Sequence, residues 1–453
     1  MSTKFQPHNY AIWIAQSTLY ASDKQLLWMW SGTHWLPIED NDGESNSYGW
    51  IVSTQPEFAS PTNAKAAHKA AILWAPALPP QRQDSLIIPM RNGYVHLENG
   101  LITLQPHNPD LGMRHLINAN YDPGAPEPTL FQKFLNRVLP DLHVQARVQE
   151  YIGYTLLPDT RFQRSQIWRG PGANGKGVLA NIVQALHARV AAVQLNDLNG
   201  FSLASMLAAS LIFCDEAPQR GINEQMIKSL IAGESVLINR KYKDHITTKI
   251  TGKWLILANH MPAITDQSVG FWRRFDIVPF NVIIPENERI SGLADKIIAT
   301  ELSGVLNWAL NGLLRLLKRG HFDPILPPEI GQAQRIARFE TNSVEAWFED
   351  QSIEIESNAQ TLKSDVYISY ADWCKQNGMV ALASPRFWNR LNDKTGFMTS
   401  RKRMNGRQVP ICNICLPSGW SMPDDELILS DVFGGSVQGR ADSVQGEIYY
   451  PSH

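Results

Sequence analysis

Neither sign of charge dominates this 453-residue chain: 41 lysines and arginines stand against 43 aspartates and glutamates, a formal net charge of −2. It therefore lacks the global basic field that draws a protein onto nucleic acid, and any such contact has to be local. Cysteine is scarce, with four residues, which excludes a disulfide framework and fits a reducing compartment. Cys214 and Cys374 stand alone. Cys412 and Cys415 form one C-x-x-C, but no second Cys or His pair lies beside it to complete a four-ligand zinc site. The residues around it, Val409, Ile411, Ile414 and Leu416, read as strand. No stretch approaches the roughly 20 apolar residues of a membrane helix, and residues 1–25 lack a charged-then-apolar secretory pattern. The expectation is a multidomain soluble protein of two to four domains, cytoplasmic and without a membrane partner.

What is present changes along the chain. Six tryptophans (Trp13, Trp28, Trp30, Trp35, Trp50 and Trp74) fall in short alternating runs broken by polar residues 40–47. These predict an N-terminal α+β domain over 1–85, with 40–47 as a loop. Aromatics this dense can stack on single-stranded bases, although buried packing is their commoner fate. A proline-rich linker at 75–82 is followed by the turn signals Asn92-Gly93 and Asn99-Gly100 around Tyr94, Val95 and Leu97, which predict a hairpin. Leu130, Phe131, Phe134, Leu135, Val138, Val148, Tyr151 and Ile152 then recur at helical spacing, completing a lead-in over 86–158. From 159 to 335 short apolar runs (Ile167-Trp168, Leu211–Cys214, 254–258) alternate with helical segments, the pattern of a parallel sheet buried on both faces. That region closes with a helical zone at 292–319 and a proline-marked linker at 324–328. A compact domain at 343–420 follows, and residues 421–453, poor in apolar side chains and repeating Ser-Val-Gln-Gly, read as a disordered tail.

The chemistry concentrates in the α/β region. Gly170-Pro171-Gly172-Ala173-Asn174-Gly175-Lys176-Gly177 follows a short strand and opens a helix with apolar Val178, Leu179, Ile182, Val183 and Leu186. This is the context of a phosphate-binding P-loop: glycines let successive N–H groups point inward, the helix N-terminus adds its dipole, and Lys176 reaches the phosphates. Gly177 stands where Ser or Thr ordinarily offers a hydroxyl to Mg²⁺. The run 211–214 ends in Asp215-Glu216, which puts two carboxylates at the sheet's carboxyl edge, Asp215 for metal and Glu216 for the attacking water. The run 254–258 ends at Asn259, which either positions water at the γ-phosphate or caps the next turn. Arg273 and Arg274 sit among Phe271, Trp272 and Phe275, as transition-state guanidiniums from a neighbouring subunit or as structural ion pairs. Between these runs an apolar strand reaches a tip of Arg240, Lys241, Tyr242 and Lys243, which is a hairpin for a phosphate backbone or a solvated turn.

The order of these elements resembles the superfamily 3 helicases of the AAA+ class, specifically the phage and plasmid primase-helicase group. The P-loop, Asp215-Glu216, Gly233-Glu234 through Lys243, Leu257-Ala258-Asn259-His260-Met261-Pro262, and Arg273-Arg274 with Pro279-Phe280 carry the resemblance. It extends upstream through Asn92-Gly93, Pro106-His107, Tyr121-Asp122-Pro123 and Gly153-Tyr154, and covers about residues 90–320. The resemblance implies ATP and Mg²⁺ as cofactors, Lys176 on phosphate, Asn259 as sensor, Arg273 or Arg274 as a finger in trans, and Arg240, Lys241 and Lys243 on single-stranded DNA. It further implies a homo-hexamer encoded by a mobile element, acting on single-stranded and forked DNA in a bacterial host cytoplasm. The first 90 residues look too short for a primase, so a separate primase or other replication proteins are the expected partners.

The C-terminal domain reads independently. Helices at 365–375 and from Ser384, then Arg401, Lys402, Arg403 and Arg407 around the turn Asn405-Gly406, suggest a winged helix with Arg386, Arg390 and a basic wing on DNA. A protein-docking module of the same shape is the alternative. The resulting expectation is an AAA+ P-loop parallel-sheet motor with an N-terminal α+β and helical region and a C-terminal winged helix, acting as an ATP-dependent DNA helicase. An origin-binding initiator and a nucleotide-gated ring with little hydrolysis are the competing readings.

Overall fold

Apolar runs too short for helices become strands of one parallel sheet in the computed structural model. It describes residues 4–23, 25–81, 86–98, 100–218, 221–240, 243–262, 264, 266–379, 381–404 and 406–421, with backbone alone at 240, 243 and 244. The strands are β1 (Ser165–Arg169), β2 (Val190–Ala192), β3 (Leu211–Cys214), β4 (Lys253–Ala258) and β5 (Phe275–Pro279), ordered β5-β1-β4-β3-β2 and parallel throughout. Every residue of β3, β4 and β5 is buried, as expected of a sheet covered on both faces. The chain leaves β1 for the far edge at β2, returns through β3 to β4 beside β1, and crosses to β5 on the other side. That places a topological switch at the carboxyl end of β1, where ligands of open parallel sheets bind.

Before the sheet run two helices, α1 (Thr129–Val138) and α2 (Leu142–Thr155). Between strands lie α3 (Lys176–Ala185) and α4 (Glu224–Ala232), and after the sheet comes α5 (Leu293–Arg319). One core joins α1, α2, α3 and α5 to the sheet, including Ile88 and Val95 upstream, Phe134 and Val138 of α1, Tyr151 of α2, Leu179 of α3 and Leu313 of α5. Small residues set the α2/α5 spacing: a Cβ on Gly153 would lie 2.4 Å from Ala309 O, and one on Gly312 2.6 Å from Gln149 O. Tyr151 Oη donates to Trp254 O at 2.5 Å, tying α2 to β4. Beneath β5, buried Asp276 accepts from Arg147 Nε at 2.7 Å and Nη2 at 3.0 Å, with Arg164 Nη1 at 3.4 Å. The stretch Glu286–Arg319 is by length and composition apolar enough to cross a membrane, although polar residues interrupt its apolar runs. Here Ile297, Leu306, Leu310 and Leu313 of α5 are buried in the shared core, as in the core helix of a globular fold.

Upstream, helices Pro7–Gln16, Asp40–Thr54 and Pro61–Trp74 accompany a three-stranded antiparallel sheet, Tyr20–Ser22, Leu27–Trp30 and Trp35–Pro37. The expected loop at 40–47 is instead the start of a helix. Asp40 and Asp42 suit its N-terminal dipole, and its buried stripe is Gly43, Ser47 and Ile51, of which the small Gly43 and Ser47 carry no hydropathy signal. Ser47 Oγ donates to Ala64 O at 2.8 Å, and a Cβ on Gly43 would fall 2.1 Å from the His68 ring. Trp28 and Trp35 are buried, whereas Trp13 and Trp74 are exposed. The expected hairpin at 92–100 is a three-stranded meander, Leu86–Met90, Gly93–Glu98 and Leu101–Gln105.

The chain divides into two compact units, 1–334 and 335–453. In the second, helices Ser343–Asp350, Lys363–Gln376 and Ser384–Thr395 pack Trp347, Tyr370 and Phe387 into a core with Cys412 and Ile414. The strands Thr361–Leu362, Arg407–Cys412 and Thr399–Met404 form its antiparallel sheet in that order. Cys412 and Cys415 lie on strands, and all four cysteines are free. The expected tail lies outside the described residues but for Ser421.

Candidate nucleotide-binding site

The loop after β1 is shaped by close approaches. Gly170 is buried, and a Cβ there would meet Phe280 O at 2.3 Å; Gly175 has φ +78°, and a Cβ there would lie 2.4 Å from Val138 Cγ1. Both positions therefore demand glycine. Ala173, at φ +61°, holds a left-handed conformation without being glycine. Pro171 and Gly172 are exposed at the turn. Asn174 is buried and acts as the internal staple: its Nδ2 donates to Phe280 O at 3.0 Å and to Pro171 O, and its Oδ1 accepts from Lys176 N at 3.2 Å. Nothing in the motif signalled this role.

Lys176 opens α3 with its side chain 8 % exposed. Its Nζ donates to Gly170 O at 3.0 Å, Ala258 O at 3.0 Å and Asn259 Oδ1 at 2.9 Å, so the loop lysine and the residue after β4 meet directly. Burial lowers its pKa below the usual lysine value, against the opposing pull of Asp215 and Glu216. Those two carboxylates are exposed at the end of β3 and line a cleft of mixed character with Gln184, Val193, Asp197, Ser202, Ser205 and Phe213. Ala217 N donates to Leu257 O at 2.9 Å, pinning the turn that presents them. Gly177 is exposed, and a Cβ there would have no atom within 4 Å. Among the described residues no group of three or more His, Cys, Asp or Glu is placed to hold a metal ion.

Arg273 and Arg274 lie at the other end of the sheet. Phe275 pairs with Ser165 and Pro279 with Arg169, so the arginines precede β5 at the edge where β1 begins, while the loop leaves from the edge where β1 ends. Five residues at about 3.3 Å each separate the two edges by roughly 16 Å. Neither arginine serves its own loop. Arg274 is half-buried and donates from Nη1 to Gly270 O; Arg273 is exposed.

The expected hairpin exists: Ser235–Arg240 pairs with Lys243–Lys249, from Ser235↔Lys249 to Arg240↔Lys243, with a bulge near the tip. Val236, Ile238 and Ile246 form its buried face, and Asn239 N donates to Gly200 O at 2.8 Å. Lys241 and Tyr242 lie outside the described residues. Only the backbone of Arg240 and Lys243 is described, so the strands are seen but not the cationic side chains.

In the second unit every position of Thr399–Met404 is exposed, including Arg401, Lys402 and Arg403, and Met404 pairs with Arg407 across the turn. Arg386 is exposed and Arg390 half-buried on the preceding helix. Lys363 Nζ sits 4.1 Å from the Trp388 ring centroid.

Residues 19–140 match a family described as D5 N terminal like, and residues 168–274 match a family of unknown function (DUF5906). A curated relative from Acanthamoeba polyphaga mimivirus, named "Putative helicase L207/L206", is 24 % identical over 213 residues. That alignment takes in 44 % of this chain but 22 % of the relative, so the chain spans about a fifth of that protein's length. The apo NrS-1 C terminal region (305-718) superposes with TM-score 0.50 at 11 % identity, covering 87 % of this chain and 95 % of that one. Its A form gives TM-score 0.50 at 12 % identity, covering 88 % and 98 %. At identities this low the structural matches show a shared mixed α/β fold, and the likeness in sequence is to a D5-type N-terminal family over residues 19–140 and to a viral relative named as a helicase.

Proposed function

We propose that this chain is an ATP-dependent DNA helicase or translocase of the superfamily 3, AAA+ type, working as a ring in the replication of a phage, prophage or plasmid. One observation carries the reading: Lys176, Asn259, Asp215 and Glu216 converge at one edge of the sheet, while exposed Arg273 stands at the opposite edge. Such a molecule is complete only when a second copy brings its arginine to the first copy's nucleotide, and head-to-tail repetition of that contact closes a ring.

In this reading the loop N–H groups and Lys176 bind the β and γ phosphates, Glu216 orients and deprotonates water, and Asn259 holds that water in line. Arg273 of the next subunit meets the charge that develops on the transferred phosphoryl group, with Arg274 supporting it. Mg²⁺ would neutralise phosphate charge and be held through Asp215 and phosphate oxygens, with Gly177, whose built Cβ meets no atom within 4 Å, supplying no ligand atom. The hairpin at 240–243 and the exposed Arg401-Lys402-Arg403 strand, with Arg386 and Arg390, are the DNA contacts, the latter group as a winged helix. Single-stranded and forked DNA, a separate primase and a cytoplasmic setting follow from the same reading.

Gly177 favours one competitor, a nucleotide-gated ring with little turnover. The deciding experiment is steady-state ATP hydrolysis with magnesium, with and without single-stranded DNA. Strong stimulation by DNA is the expected result. ATP binding and ring assembly without turnover would overturn the helicase reading in favour of the gated ring.

A further inference from the structure

Arg273 follows the short helix Val269–Trp272, so the direction in which its side chain leaves the fold is set by whatever holds that helix. Ser268 caps it: Ser268 Oγ accepts from Phe271 N at 3.2 Å, and Val269 O accepts from Arg273 N at 2.9 Å. Phe271 and Trp272 are buried, and Trp272 Nε1 donates to Gln267 Oε1 at 3.0 Å. The cap is held in turn by Asp266, whose Oδ1 accepts from Ser268 N at 2.9 Å.

On its other side Asp266 is fastened to α4. Its Oδ2 accepts from Lys228 Nζ at 2.5 Å, and its own N–H donates to Glu224 Oε2 at 2.8 Å. Glu224 and Lys228 lie one turn apart, so both groups come from one face of the helix. α4 is a firm base, capped by Asn223 Oδ1 on Met226 N at 3.1 Å and buried along Ile227, Leu230 and Ile231. Burial alone would raise the Asp266 pKa; hydrogen bonds from Lys228 and Ser268 hold it below the usual carboxylate value, so the group is charged in neutral solution. We infer that Asp266, clamped by Glu224 and Lys228, is the positioning residue of the arginine finger: it fixes the start of the Val269–Trp272 helix and with it the direction in which Arg273 reaches the neighbouring subunit's nucleotide. The inference rests on the proposed role of Arg273 in trans.

The Lys228 and Asp266 side chains are 23 % and 20 % exposed, and ion pairs open to water add little to stability. Asp266 nevertheless spends both carboxylate oxygens and its own N–H on three different residues, which restricts direction more than it adds energy. Misplacing a catalytic group by about 1 Å costs about a hundredfold in rate. A guanidinium that meets charge developing in the transition state changes kcat when it is misplaced and leaves ATP binding alone.

The test is steady-state ATP hydrolysis by the full chain and by Asp266→Ala, Lys228→Met and Lys228→Arg, with Asp266→Ala also mixed with Glu216→Gln. Asp266→Ala should lower kcat about tenfold or more, with KM within about twofold and a melting temperature within about 4 °C of the parent. Lys228→Met keeps the stem and removes the charge, so it should lower kcat in the same way and repeats the test if Asp266→Ala does not fold. Lys228→Arg keeps the charge and should retain most of the parent rate. Mixing Asp266→Ala with Glu216→Gln should restore part of the activity, since the first brings an intact acid and the second an intact arginine on its support. A defect confined to the variant's own site gains nothing from that mixture. Parent-like kcat in both Asp266→Ala and Lys228→Met, or a loss that mixing does not relieve, would overturn the inference. Parent-like hydrolysis by Arg273→Ala would instead overturn the finger reading on which it stands, a distinct result.

Discussion

Adding a hydroxyl where the loop lacks one is the sharpest probe of the metal side of the site. Gly177 is the second residue of α3, exposed, with no atom within 4 Å of a built Cβ. Gly177→Ser therefore meets no steric obstacle, and replacing an exposed helical glycine stabilises by about 0.5 kcal/mol through helix propensity. The added oxygen becomes one direct ligand or charge-assisted contact for Mg²⁺, worth about 1.5–3 kcal/mol in an interaction with a charged group. At about 1.4 kcal/mol per decade, the magnesium concentration for half-maximal hydrolysis should fall about tenfold or more. The assay is ATP turnover at fixed ATP with magnesium titrated, in the parent, Gly177→Ser and Gly177→Ala. The alanine variant supplies the Cβ and the helix propensity but no oxygen, so both variants should melt at or above the parent while only serine shifts the magnesium curve. An equal shift in both variants, or none in serine, would refute the argument that the missing hydroxyl limits metal binding.

Arg273→Ala should abolish hydrolysis while leaving ATP affinity within about twofold, and mixing it with Glu216→Gln should restore part of the activity, because one of the two kinds of mixed interface pairs the intact acid of the first variant with the intact arginine of the second. Activity that stays absent at every mixing ratio would argue against a role in trans. Asp276→Ala leaves Arg147 and Arg164 without their shared carboxylate beneath β5, and urea denaturation should report a loss of about 3–5 kcal/mol. Stability should also fall in mild acid. Burial holds His115 and His187 at a pKa of about 3, against an ordinary 6.5, so the unfolded chain binds protons that the folded chain refuses between those values. Their contribution is complete above pH 6.5 and is lost as the pH drops toward 3. From pH 7.5 to 5.5 each should cost about 1.4 kcal/mol, and a flat urea midpoint across that range would contradict it.

What could be read of the fold from sequence follows from the range of the forces involved. Leu211–Cys214 and 254–258 announce themselves because a strand buried on both faces must be apolar at every position. β2, Val190–Ala192, is three residues long and only partly buried, too short for any pattern to stand out. β5 was hidden differently: Asp276 interrupts its apolar run, and that carboxylate is tolerated only because Arg147, 129 residues upstream, meets it. A buried ion pair across that separation has no local signature. The helix at Asp40–Thr54 fails for the complementary reason, since two of the three residues in its buried stripe are Gly43 and Ser47, which serve closeness of approach.

The candidate site divides along the same line. Gly170 to Lys176 and the paired acids are local motifs whose candidate chemistry is legible in their spacing alone. Their arrangement depends on sheet order, which no short window contains: β4 lies between β1 and β3, and that alone brings Asn259 Oδ1 to Lys176 Nζ. Sheet order also separates Arg273 from its own loop by a full strand length, so the proposed finger role requires a second copy.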